Sequence, residues 1–274
     1  MTSSDAAFVG SVPENYDRYL ASVLFDPYAE DLAARLTVTD GMRVLEVACG
    51  TGLVTRRLVE RLAGRGMVVA TDLNAAMIAH GQTRMAPGAP VEWRPADGTS
   101  LPFPDRAFDA VVCQFGLMFF PDKAAGIREA HRVLRPGGRY LFNVWDAIEH
   151  NPITHLTHET MAELFPDDPP GFYATPFSFH DRDRIRALLR AAGFADADIE
   201  IAQVDKTGHS PSAADAATGL IDGNPIAMDI ERRRAGAVAE ARAAVAARIA
   251  ARLGDRPVRA PLRAIVCTAR RSAA

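Results

Sequence analysis

Cysteine is scarce in this chain. Three cysteines in 274 residues, Cys49, Cys113 and Cys267, sit far apart in apolar surroundings. An odd number without short spacing disfavours a disulfide framework or a zinc site and points to a reducing cytoplasm. Long apolar runs are missing too: no segment approaches the roughly 18–20 uninterrupted apolar residues of a membrane span. Residues Met1 to Ser11 are polar, read as a frayed tail to about residue 12, and lack the layout of a secretory leader. There is no dense Lys/Arg stripe, and net charge is −3, so nucleic acid or an anionic membrane is disfavoured as the main partner.

What is present is an ordinary globular composition, 48% apolar and 24% charged, long enough for one large domain with insertions. The pattern predicts a helix from Asn15, a break near Phe25-Asp26-Pro27, and a second helix to Leu36, with Asp26 as its N-cap. Met42 to Ala48 is almost wholly apolar, as expected for a strand covered on both faces. A helix follows the small-residue turn Gly50-Thr51-Gly52 and is predicted to stop at Gly64 and Gly66. Further strands are expected at 67–71, 91–94, 108–114 and 139–145. Helices are expected at 74–85 and 123–134, the second ended by Pro136-Gly137-Gly138. Beyond Trp145 the spacing predicts a helix at 181–192 with Asp181 as N-cap, and strands at 197–204 and 260–269. One long amphipathic helix is predicted within Pro225 to Leu253. Strand–helix alternation of this kind implies βαβ units, a mostly parallel sheet and ligands at the carboxyl ends of the strands.

Gly50, Asp72, Asp97 and Gln114 all fall at such ends. A tight turn of small residues brings backbone N–H groups close to a ligand. A nicotinamide site would want Gly at the third position of that turn, where this chain has Thr55. A carboxylate at Asp72 suits two ribose hydroxyls, with capping of the next helix as its plain structural role. Asp97-Gly98 could hold a purine edge, and Leu101 and Phe103 could offer apolar contact to a flat base.

Taken together, Val44-Leu45-Glu46-Val47-Ala48-Cys49-Gly50-Thr51-Gly52, Asp72, Asp97-Gly98-x-x-Leu101-Pro102-Phe103, Phe108-Asp109 and Leu134-Arg135-Pro136-Gly137-Gly138 resemble the class I S-adenosylmethionine-dependent methyltransferases. The resemblance is to the branch holding ubiquinone/menaquinone-type C-methyltransferases, and it spans about residues 40–145. It implies an α/β, Rossmann-like fold: a seven-stranded, mostly parallel sheet, its last strand antiparallel, with helices on both faces. It implies S-adenosyl-L-methionine as cofactor. Glu46, Ala48, Cys49, Gly50 and Gly52 would wrap the methionine part, Asp72 would take the ribose, and Leu73 would pack on adenine. Asp97 and Gly98 would read the adenine edge, while Gln114 and Phe115 would border the sulfonium. Ala48 departs from the family, which usually has Gly there.

The resemblance further implies one domain over 1–274, with a mainly helical lid from about 1–36, 146–180 and 206–259. Tyr16, Tyr19, Phe119, Phe120, Phe172 and Tyr173 could then line an apolar pocket for a small acceptor. His150, His155 and His158 are the candidates for a base, if the acceptor needs one. No metal is expected, and a homo-oligomer is compatible with the pattern. Two other readings stand beside this one: a regulatory or inactive donor-binding protein, and a nucleotide-cofactor oxidoreductase.

Overall fold

Val44 and Leu45 are both fully buried although neighbours on a strand face opposite ways, and so are Val111 and Val112. Such strands need cover on both faces, which a computed structural model of the chain supplies. It describes Gly10 and residues 12–273; the expected tail lies almost wholly outside the described residues. The strands are β1 (Met42–Val47), β2 (Gly66–Asp72), β3 (Val91–Pro95), β4 (Phe108–Gln114), β5 (Leu134–Trp145), β6 (Ile199–Ser210) and β7 (Val258–Arg270). They form one sheet in the order β3-β2-β1-β4-β5-β7-β6. β1 pairs in parallel with β2 and β4, as do β2 with β3 and β4 with β5, while β5 and β7 run antiparallel. The fold is the Rossmann-like α/β sheet expected, mostly parallel.

The helices are α1 (Val12–Asn15), α2 (Asp26–Ala34), α3 (Leu53–Leu62), α4 (Ala75–Thr83), α5 (Lys123–Val133), α6 (Pro152–Leu164), α7 (Arg182–Ala191), α8 (Ala213–Asp222), α9 (Ile226–Arg233) and α10 (Val238–Leu253). A π-helix, Tyr16–Phe25, joins α1 to α2.

The chain divides into two compact units. The first holds Tyr28–Trp145, Phe179–Val204 and Ala264–Ala274. On one sheet face Val44, Val68, Ala110, Val112, Leu141 and Val266 pack with Leu32 of α2, Leu36 just beyond it, and Leu58 and Leu62 of α3. The second unit comprises the described part of Met1–Pro27 with Asp146–Ser178 and Asp205–Arg263, and it is mainly helical. It is built from the stretches where strand–helix alternation loosens.

Four details stand out against the sequence expectation, each with a physical setting. No break occurs at Phe25-Asp26-Pro27; the helix widens to π geometry, and Asp26 N–H donates to Ala21 O. Pro27 has no N–H to offer the carbonyl of Val23, four residues back. Against that carbonyl lies Gly208, where an added β-carbon would fall 1.8 Å from the oxygen. Gly66 belongs to β2 rather than to the end of α3, because Ala63 already closes the helix in the left-handed region. Pro136-Gly137-Gly138 lies inside β5, which begins at Leu134, and a register shift beside β4 absorbs the irregular stretch. The single long helix expected within Pro225 to Leu253 is two, parted near Gly236 at φ +77. Other expectations hold closely: β4 has its expected bounds, and Asn74 and Asp181 cap α4 and α7 with their side chains.

Candidate functional site

The site grows from the ends of β1 and β2. Glu46 is the one carboxylate buried in β1, and two threonines hold it. Thr55 donates its hydroxyl to Glu46 Oε2 at 2.6 Å, and Thr71 donates to the Glu46 carbonyl at 2.8 Å. Thr55, the residue that argued against a nicotinamide turn, thus anchors the acid below the turn. Burial pushes the Glu46 carboxyl up to about 8, and the charge of Asp72 pushes the same way; the Thr55 bond and Arg56 oppose them. A buried acid of this kind favours a cationic partner.

The turn itself runs in left-handed backbone: Ala48 at φ +57, Gly50 at +55 and Gly52 at +78. Gly52 has a second reason to be glycine, because a β-carbon there would meet the Trp93 indole at 2.8 Å. Trp93 also lies against Gly81 of α4, so its ring is wedged between turn and helix. Asp72 closes the turn from β2. Gly50 N–H donates to its Oδ2 and Asn74 N–H to its Oδ1, both at 2.8 Å. A carboxylate offers about four acceptor positions. The Leu73 backbone also bears on the carboxylate, and the acceptor capacity that remains suits a ribose hydroxyl. Leu73, next in sequence, is 70% exposed, the most exposed large apolar side chain among the described residues. An apolar side chain standing in water beside a carboxylate with acceptor capacity is suited to the face of a nucleobase.

After β3, Asp97 Oδ1 accepts from Thr99 N–H and from the Thr99 hydroxyl. The carboxylate is exposed and its other oxygen is free to accept from an exocyclic amine. Gly98 is buried with no room for a side chain: a β-carbon would fall 2.4 Å from the Phe120 ring and 2.9 Å from Val47. The same ring presses on Gly126, so Phe120 is a wedge between two glycines. Leu101 is buried, and Phe103 packs edge-on against Phe108 at 5.0 Å. Leu101 and Phe103 are thus engaged in packing, whereas Leu73 stands exposed. Gln114 ends β4, and Phe115 follows at φ +49. Cys49 is buried within the turn, its thiol pushed well up by burial and by the charges of Glu46 and Asp72.

These residues fit S-adenosylmethionine. The structure brings Glu46, Ala48, Cys49, Gly50, Gly52, Asp72 and Leu73 together at the ends of β1 and β2. Asp97, Gly98, Gln114 and Phe115 lie at the ends of β3 and β4 in the same unit. Sequence reasoning passed over Thr55, Thr71 and Trp93 as contributors. Only the spacing of Thr55, nine residues after Glu46 and one turn into the next helix, could have suggested a role.

The remaining candidates belong mostly to the helical unit. Tyr16 and Tyr19 lie on the π-helix; Tyr16 stacks on Phe25 at 5.0 Å, and Arg18 sits over the Tyr19 ring. Phe172 and Tyr173 are buried against each other, and the Tyr173 hydroxyl donates to Leu220 O at 2.8 Å. Phe119 lies in a short turn after β4, half-buried. His150 is exposed, His155 is 3.7 Å from Glu159, and His158 keeps a buried Nδ1 with no partner among the described residues. No helix among the described residues is long and apolar enough to cross a membrane.

A methyltransferase-domain family model matches residues 44–138. A ubiquinone/menaquinone biosynthesis C-methyltransferase of Hahella chejuensis is 32% identical over 170 residues, 57% of this chain and 68% of that protein. Among solved structures, phosphoethanolamine N-methyltransferase 2 of Haemonchus contortus, in complex with S-adenosyl-L-methionine, matches with a TM-score of 0.63. Its identity is 16%, covering 98% of this chain and 59% of that one. The [4+2]-cyclase SpnF matches with a TM-score of 0.57 at 23% identity, covering 91% and 82%. Both structures speak to the fold alone. On the strength of the curated relative, the chain belongs to the class I S-adenosylmethionine-dependent methyltransferases, with S-adenosylmethionine as its cofactor.

Proposed function

We propose that this methyltransferase acts on a small, apolar or aromatic acceptor by in-line displacement in a pocket closed to water. The observation that carries the donor half is the Asp72 carboxylate, fixed by Gly50 and Asn74 with acceptor capacity to spare, beside exposed Leu73. The acceptor half draws on the curated relatives, whose name places them in quinone biosynthesis as C-methyltransferases.

S-adenosylmethionine supplies a methyl already activated on sulfonium, so the chain needs to align and shield more than to activate. Asp72 orients the ribose and Leu73 the base, Asp97 and Gly98 read its edge, and the turn from Glu46 to Gly52 holds the methionine part. Gln114 and Phe115 border the reacting end. If a base is needed, His150, His155 and His158 are the candidates. Cys49, Cys113 and Cys267 are buried and free, which supports a reducing, cytoplasmic setting. Neither alternative gains from the site. Thr55 is committed to Glu46, and Ala48 is accommodated in its turn rather than distorting it.

Calorimetry with S-adenosylmethionine, S-adenosylhomocysteine and NAD should show binding of the first two. Methyl-labelled donor should then give products from hydroquinones, phenols or apolar amines in an acceptor panel. Turnover confined to highly charged acceptors would overturn the acceptor class, and NAD binding without a response to S-adenosylmethionine would overturn the donor assignment.

A further inference from the structure

Asn143 lies in the middle of an apolar face. It is 0% exposed, and its same-face neighbour Leu141 and register partner Val266 belong to the core. An asparagine placed there needs a reason, because burying an amide without full hydrogen bonding is unfavourable. Half of its amide is used. Phe115 N–H, leaving β4, donates to the Asn143 side-chain oxygen at 2.9 Å and to the Asn143 backbone oxygen at 3.2 Å. That donor sets the orientation of the amide, since only the oxygen can accept it. The Nδ2 group has no hydrogen-bond partner among the described residues. Packing alone would be served better by leucine or valine, which leave no donor unpaired.

The oxygen acts on an unusual residue. Phe115 sits at φ +49, left-handed backbone that a bulky side chain rarely adopts. In that conformation its ring stacks on Trp145 at 4.0 Å and 15°, and meets the edge of Tyr28 at 5.4 Å. The Tyr28 hydroxyl is itself tied to Val204 O at 3.0 Å. The same bend sends Gly116 against Ala48 of the glycine turn. Gln114, the register partner of Asn143 on β4, is the residue immediately before the bend. One side-chain oxygen therefore braces the segment Gln114-Phe115-Gly116, which links the end of β4 to the turn at the end of β1.

We propose that Asn143 is a positioning residue for the amino-acid end of the donor. It holds the β4 exit in the conformation that presents Gln114 and seats Gly116 on Ala48. The proposal rests on the donor-site reading above, which places Gln114 and Phe115 beside the methionine part. It predicts an effect confined to that part, unlike general loosening of the fold.

The test uses the full chain and three titrants: S-adenosylmethionine, S-adenosylhomocysteine and 5′-methylthioadenosine, which keeps the nucleoside and sulfur but lacks the amino-acid carbons. Asn143→Ala should weaken the first two by at least about tenfold and leave the third within about twofold, the size expected when a buried support is lost. Equal loss for all three, or no loss for any, overturns the proposal. A wild-type protein that binds none of them overturns the donor-site reading instead. Glycine adopts left-handed backbone unaided, so in a Phe115→Gly background Asn143→Ala should add less than about a further twofold. A full second loss there argues against bracing of Phe115. Should Asn143→Ala fail to fold, Asn143→Ser, too short to reach the Phe115 amide, is put through the same titrations with the same outcomes.

Discussion

The methyl group of Ala48 occupies the space that Gly116 leaves empty. A β-carbon built on Gly116 would fall 2.4 Å from Ala48 Cβ and 3.0 Å from Cys113 Sγ. The departure at Ala48 is thus matched from the end of β4. Gly116→Ala should overpack this contact and destabilise the fold by about 1–3 kcal/mol. Ala48→Gly, which removes both the methyl and the penalty of φ +57, should be neutral or stabilising by up to about 1 kcal/mol. The double variant should recover most of the loss. Urea denaturation of the four proteins gives the coupling, and additive effects would mean that the contact does not matter.

Asp72→Ala should weaken S-adenosylmethionine binding by about 1–3 kcal/mol, because ribose hydroxyls and the Gly50 and Asn74 amides all lose their acceptor. An unchanged dissociation constant by calorimetry would remove Asp72 from the ribose site.

Leu73 separates binding from folding. At 70% exposure, Leu73→Ser should change stability by less than about 0.5 kcal/mol. Donor affinity should nevertheless fall by about 1 kcal/mol or more, as apolar area covered on binding is lost. A stability loss as large as the affinity loss would assign Leu73 to packing instead.

Stability should depend on pH through Glu46. Its carboxyl ionises near 4.5 when unperturbed and near 8 in the folded chain, chiefly through burial. The folded state then binds the proton more tightly, so this contribution is full below about pH 4.5 and lost as pH rises through about 8. Asp72, also raised by burial, acts in the same sense. The unfolding free energy of the unliganded protein, followed by urea denaturation, should therefore fall between about pH 5 and pH 8.5 by an amount on the order of a few kcal/mol. Glu46→Gln should flatten most of that slope; an equal slope in the variant would show that other groups cause it.

Gly208→Ala tests the helical unit. Its β-carbon would fall 1.8 Å from the Val23 carbonyl, so backbone must move, and a loss of about 2 kcal/mol or more is expected. Thermal melting at neutral pH checks this, and a wild-type melting temperature would mean that the π-helix yields freely.

Several features could be read without any tertiary information, because short-range physics decides them. The bounds of β4 follow from the apolar run Ala110-Val111-Val112-Cys113, with Phe108 before it and polar Gln114 closing it. The caps at Asn74 and Asp181 follow from side chains that reach amides two or three residues on. The features of the proposed donor site could be located for a related reason: a tight turn, an acid at the next strand end and an Asp-Gly loop are local devices in a parallel sheet. Contacts between distant segments were not legible. Gly208 lies against the Val23 carbonyl of the π-helix, Phe120 is a wedge because Gly98 and Gly126 flank it, and β5 pairs with β4 from Leu134. Ala48 carries the distinction best. Its place in the glycine turn could be read from the chain alone. That its methyl would be tolerated was decided sixty-eight residues later, at Gly116, where two strand ends converge and steric exclusion leaves room for only one side chain.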